Sequence, residues 1–155
     1  MVQTYISNPT GKLTSLDEVC NAIRAGLCLS IAGDERLLTQ LPAGTWIGGT
    51  IPYFMGQEGG KTTKDELFMT ELPTYGGHVA IRSYTQAELD RVCVDAPENG
   101  FTLMVLPAFS DIHTYFARKA PEFDDMYMKP LIGWVSGFHL GDADARARVV
   151  NGQTL

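Results

Sequence analysis

The amino-acid sequence predicts an α/β fold: a central mixed β-sheet flanked by helices, arranged as a layered sandwich. Three observations carry that prediction. Segments with apolar residues every three or four positions alternate with short apolar runs, so helices and strands follow one another along the chain. Two helical segments open with capping boxes, Ser15-Leu16-Asp17-Glu18 and Thr85-Gln86-Ala87-Glu88. The run Phe101-Thr102-Leu103-Met104-Val105-Leu106 is apolar almost throughout, which suits a central strand covered on both faces.

The elements follow in order. Leu16, Val19, Cys20, Ile23 and Leu27 recur at helical spacing, and Gly26 fits the helix end. Residues 27–32 form an apolar run stopped by Gly33-Asp34, a strand. Asp34 caps a short helix over residues 35–41, closed by Pro42 and Gly44. The stretch TWIGGTIPYFM, residues 45–55, reads as the second strand. Residues 56–64 are glycine-rich and polar and are expected to be mobile. Residues 66–72 and 78–84 read as strands joined through Pro73 to Gly77, a hairpin or excursion. A helix bearing Leu89, Val92 and Cys93 comes next, then the 101–106 strand. Ser110 or Asp111 caps a helix carrying Ile112, Tyr115 and Phe116, and residues 131–138 are the last strand. The tail from Gly141 could start a helix through Asp144 and Arg148.

Composition bounds the function. The 155 residues fit one domain spanning 1–155, and 45% hydrophobic with 19% charged residues is ordinary for a globular chain. A net charge of −6 disfavours nucleic acid as a partner, because phosphate binding needs clustered Lys and Arg. No apolar run of about 18 residues occurs, so no membrane partner is expected. The segment MVQTYISNPTGK lacks a basic stretch followed by an apolar one and does not read as a signal peptide. Cys20, Cys28 and Cys93 are odd in number, lack CxxC spacing and sit in apolar contexts, which suits a reducing cytoplasm. The apolar end VVNGQTL has nothing after it to bury it. The chain is therefore expected to be the front of a longer protein or a homo-oligomerising unit.

The stretch 45–55 places Gly48, Gly49 and Pro52 among strong β-formers. Either a bulge lets Pro52 end the ladder, or the backbone there approaches a ligand or another strand so closely that a Cβ would intrude. Trp46, Tyr53, Phe54 and Met55 could wall a pocket, with Thr50 among its polar groups and residues 56–64 closing over it. No phosphate loop is present, since neither GxxxxGK[ST] nor GxGxxG occurs. Ser110 and Asp111 follow the most apolar strand and open a helix, where free N–H groups could receive a carboxylate; as residue types they are also favoured caps. His78, His113 and His139 lack metal-ligand spacing, so an acid–base or metal site from Asp111, His113 and His139 would need the fold to assemble it. No GxSxG elbow exists, and the cysteines lack the positive setting that activates a thiol.

The run from Glu35-Arg36-Leu37-Leu38 through Leu41-Pro42-Ala43-Gly44-Thr45-Trp46-Ile47-Gly48-Gly49-Thr50 resembles the start of FIST-type sensory domains, in which a short helix and an LP-G turn lead into a strand ending in small residues. GTWIGGTIPYFM is similar to an uncharacterised bacterial family related to them. The resemblance implies small-ligand binding coupled to signalling, and it carries over only to Gly48, Gly49 and Thr50. The chain departs from it in having IPYF where the common motif is more polar. The expected function is thus a cytoplasmic small-molecule-binding domain without catalysis, its cofactor and ligand unnamed. The alternatives are an enzyme using Asp111, His113 and His139, and a structural or oligomerisation domain.

Overall fold

Strand β1 (Lys12–Thr14) leads into helix α1 (Leu16–Arg24), where the Ser15 hydroxyl accepts the Glu18 N–H at 3.3 Å. The Glu18 carboxylate does not return to the cap, because Lys12 and the Thr14 hydroxyl take it. Gly26, at φ +82°, ends the helix. Its N–H donates to the Ile23 carbonyl at 2.9 Å and the Leu27 N–H to that of Ala22 at 3.3 Å, a paired closure that uses up two orphan carbonyls. The structure, a computed structural model, describes residues 11–56 and 58–153. The expectation about a leader segment lies on residues 1–10, outside the described residues.

The chain continues through β2 (Leu29–Gly33), α2 (Glu35–Leu38), β3 (Trp46–Thr50), β4 (Tyr53–Gly56), β5 (Gly59–Thr62) and β6 (Leu67–Glu71). A 3-10 helix at Gln86–Arg91 precedes β7 (Thr102–Pro107), α3 (Asp111–Lys119), β8 (Leu131–Ser136) and β9 (Val149–Asn151). The fold is α/β with mixed sheets. A five-stranded sheet runs β1-β6-β2-β3-β9, in which β2 and β3 are parallel and the other pairs antiparallel. β4 and β5 form a hairpin, and β7 and β8 form a separate parallel pair. Each parallel pair is a strand–helix–strand unit, with α2 in one crossover and α3 in the other.

Two apolar clusters hold these layers. Val19, Cys20 and Ile23 from α1 meet Leu29, Ile31 and Leu67 from the large sheet. Leu89, Val92 and Cys93 meet Ala120 and Phe123, with Met104, Ile112 and Leu131 packed against them.

Several expectations change. The 45–55 stretch is two strands, because Pro52 interrupts the ladder: Ile51 N–H donates to Gly33 and the Pro52 carbonyl turns to Thr63 N–H, at 3.1 and 3.0 Å. Most of the glycine-rich segment 56–64 is ordered by hairpin pairing with β4. Residues 78–84 form no strand, since no neighbour offers them a ladder. The tail from Gly141 is not a helix. Its VVN segment pairs with β3, which accounts for its apolar character. Most consequential, β7 is not central. It pairs with β8 alone, and only Leu106 along it is buried. Its unbroken apolar run serves a second core on one side and a cavity on the other.

Candidate functional site

Strand β3 runs from one cavity to another. At its start Trp46 lines a cavity of about 1000 Å³, and at its end Thr50 lines a cleft of about 360 Å³. Gly48 and Gly49 lie between and line neither. A Cβ on Gly48 would land on the Ile31 carbonyl oxygen of β2, and one on Gly49 would stand 2.7 Å from Ser136 Cβ and 2.9 Å from the Arg148 carbonyl. The register through Ile31↔Gly48 and Ala32↔Gly49 is continuous, so no bulge is present. The glycines are there because other strands come close.

The smaller cleft sits where β2, β3 and β8 end, at the carboxyl ends of parallel strands, the usual ligand position of such sheets. Its charges largely answer one another. Arg36 Nε donates to Asp34 at 2.8 Å, Lys64 Nζ to Asp142 at 2.5 Å, and Arg148 lies 3.6 Å from Glu35. The Lys64 ammonium holds the Asp142 carboxyl below its ordinary range. His139 Nδ1 accepts the Gly141 N–H at 3.1 Å, while an Asp142 oxygen faces the same nitrogen at 3.7 Å. One nitrogen cannot serve both. The shorter contact makes Nδ1 an acceptor for Gly141 and leaves Asp142 to Lys64. The Thr50 hydroxyl is engaged too, donating to Gly137 at 2.7 Å and accepting the Arg148 N–H at 2.9 Å.

The other expected site residues scatter. Tyr53 stacks on His139 with centroids 5.7 Å apart, and its hydroxyl oxygen accepts the Leu140 N–H, which puts it at the rim of the cleft. Phe54 is buried against Phe68 and lines neither cavity. The Ser110 hydroxyl accepts the His113 N–H at 3.2 Å and donates to Pro107 at 2.6 Å, the work of a cap. Asp111 and His113 line neither cavity, whereas His139 lines the cleft. Among the described residues no group of three or more His, Cys, Asp or Glu side chains is placed to hold a metal.

The larger cavity lies between the two cores. Trp46, Ile81, Leu89, Leu103, Ile112 and Val150 give it apolar walls. Trp46 is held in place because its indole N–H donates to the Pro42 carbonyl at 2.8 Å. On one wall Asp95 gathers three partners: the Tyr84 hydroxyl at 3.1 Å, Arg82 at 3.2 Å and Arg91 at 3.2 Å. Desolvation works to raise the Asp95 carboxyl, but Tyr84, Arg91 and Arg82 outweigh it, so the group sits below its ordinary value of 3.8. Burial pushes the Tyr84 hydroxyl up, and it does the same to the Cys28 thiol, which also lines the cavity. Burial likewise leads the upward shift of Cys93, so neither thiol is an activated nucleophile.

Arg82, Tyr84 and Asp95 were not singled out by sequence, because nothing local distinguishes them from solvated surface residues. The one available signal was the alternation in His78-Val79-Ala80-Ile81-Arg82-Ser83-Tyr84, which reads as a strand with one apolar side. No curated protein and no solved structure matches the chain. The family model that does match covers residues 14–155, and the chain thereby belongs to DUF6976, a family of unknown function.

Proposed function

We propose that the chain is a small-molecule-binding domain without chemistry of its own, and that its ligand occupies the cavity beside Trp46. The observation that carries this reading is an apolar space of about 1000 Å³ with a few polar groups gathered on one wall. Ligand sites have that character: apolar walls for affinity, placed polar groups for orientation, and shifted titration nearby. The polar cleft fits less well, because its ion pairs already satisfy one another. An acid–base enzyme would need Asp111 and His113 at a cavity, and they line neither of the two described. The sensory sense of the binding rests only on the resemblance of residues 35–50 to FIST-type domains. A cytoplasmic location is supported by three unpaired cysteines.

Anilinonaphthalene sulfonate, an apolar anion, tests the reading. It should bind the native protein at one site per chain with enhanced emission, and Leu103→Trp, which fills the cavity, should weaken it by about tenfold or more, the equivalent of about 1.4 kcal/mol. Equal binding to both folded proteins would place the dye elsewhere and contradict the assignment.

A further inference from the structure

The hydrogen-bonding sides of β7 and β9 identify what the cavity offers. In β7, Thr102 N–H donates to Pro130 at 2.9 Å and, just beyond the strand, Ala108 N–H to Ser136 at 2.9 Å. In a parallel ladder alternate residues direct both backbone groups to the same neighbour, so residues 102, 104 and 106 serve β8. Leu103 and Val105 therefore turn their N–H and C=O groups the other way, where no strand among the described residues pairs with them. Every residue from Phe101 to Pro107 lines the cavity, as happens when a cavity runs along a strand's edge. Across from it lies β9. Thr50 N–H donates to Arg148 at 3.0 Å and Gly152 N–H to Trp46 at 2.9 Å, which fixes the even-numbered residues toward β3 and turns the backbone of Val149 outward. Val149 lines the same cavity.

The site thus presents backbone donors and acceptors at strand spacing, between apolar walls. A ligand with apolar surface alone would leave each such group without a partner at a cost of about 1–3 kcal/mol. An extended peptide satisfies them, as in strand addition to an open sheet edge. The charge points the same way. Arg91 lies between Asp95 and Glu88 and does not line the cavity, but Arg82 does, and it meets Asp95 through one guanidinium nitrogen at 3.2 Å, so its fork keeps N–H donors that a carboxylate can take. We propose that the ligand is a short, extended, apolar peptide with a free carboxyl terminus, paired along the open edge of β7 with its carboxylate toward Arg82. The inference rests on the reading of this cavity as the binding site.

Calorimetric titration of the full chain tests it with four probes: a tetrapeptide of Val and Leu, its C-terminal amide, the same peptide methylated on alternate backbone nitrogens, and octanoate as an apolar anion without a peptide backbone. The free peptide should bind tightest. Methylation should weaken it by about tenfold or more, because it removes donors to the strand edge. Arg82→Gln should weaken the free acid by about tenfold and leave the amide unchanged. Equal binding of methylated and unmethylated peptide, or octanoate binding as tightly as the peptide, would overturn the peptide assignment while the cavity remained a ligand site. If neither peptide, octanoate nor the anilinonaphthalene dye bound, the peptide assignment would fall together with the cavity reading.

Discussion

At Gly48 and Gly49 the absence of a side chain is a packing requirement. Gly48 lies against the Ile31 carbonyl of the neighbouring parallel strand, and Gly133 of β8 lies in the same way against the Met104 carbonyl of β7. Gly49 lets β8 and the approach to β9 close on β3, where Ser136 and the Arg148 carbonyl would meet its Cβ. None of these three glycines has a positive φ, so the constraint is space and not backbone conformation. Gly48→Ala and Gly49→Ala should therefore each cost about 1–3 kcal/mol in urea unfolding, as overpacking does. A gain of about 0.4–1 kcal/mol, the usual benefit of alanine at a compatible site, would show that the space is open. Close approach was one of two readings the sequence left open, the other being a bulge, because glycine in a strand serves either. Which partner approached was not legible, since Ser136 and Arg148 are remote in the chain.

At the scale of the element, caps and closures were legible and strand partners were not. Ser15, Asp34, Gly26 and Thr85 act on atoms within a few residues, so local sequence contains their whole chemistry. A strand needs a neighbour. Residues 78–84 have the alternation but no ladder, and β7 has apolar residues throughout but one pairing partner. Burial separates β2 from β7: Leu29 is fully buried in the first core, whereas Leu103 is half-buried and lines the cavity. Leu29→Ala should cost about 2–5 kcal/mol. Leu103→Ala should cost less than half as much, and parity between the two would mean that the cavity is filled by protein. The Asp95 cluster makes a further prediction. The folded-state carboxyl lies below its ordinary value, so its contribution to stability is fully present above the unfolded-state value of about 3.9 and is lost as pH falls through the folded value. Urea midpoints measured downward from about pH 6 should fall less steeply at the acid end in Asp95→Asn than in the native chain. Identical acid limbs would remove the cluster from the account.

Over the whole molecule, β3 joins two strand–helix–strand units and separates an apolar cavity from a polar cleft. Apart from Ser110 and Asp111, the expected site residues were drawn from one continuous segment, and the fold divides that segment: Trp46 goes to the cavity, Thr50 to the cleft, and Gly48 and Gly49 to the contact between sheets. The layered α/β class followed from alternating periodicities. The division of strands into separate sheets depended on long-range pairing that periodicity does not encode. No helix among the described residues is long and apolar enough to cross a membrane. The proposed ligand enters at the Trp46 end of β3, along the open edge of β7 and beside Val149 of β9. Amide chemical shifts recorded during titration with the Val and Leu tetrapeptide, with the anilinonaphthalene dye in a parallel series, test this placement most directly. Shifts are expected at Cys28, Trp46, Leu103, Val105 and Val149, with Gly33 to Arg36 and Ile51 unchanged; shifts confined to the latter group would put the ligand in the polar cleft and contradict the proposal.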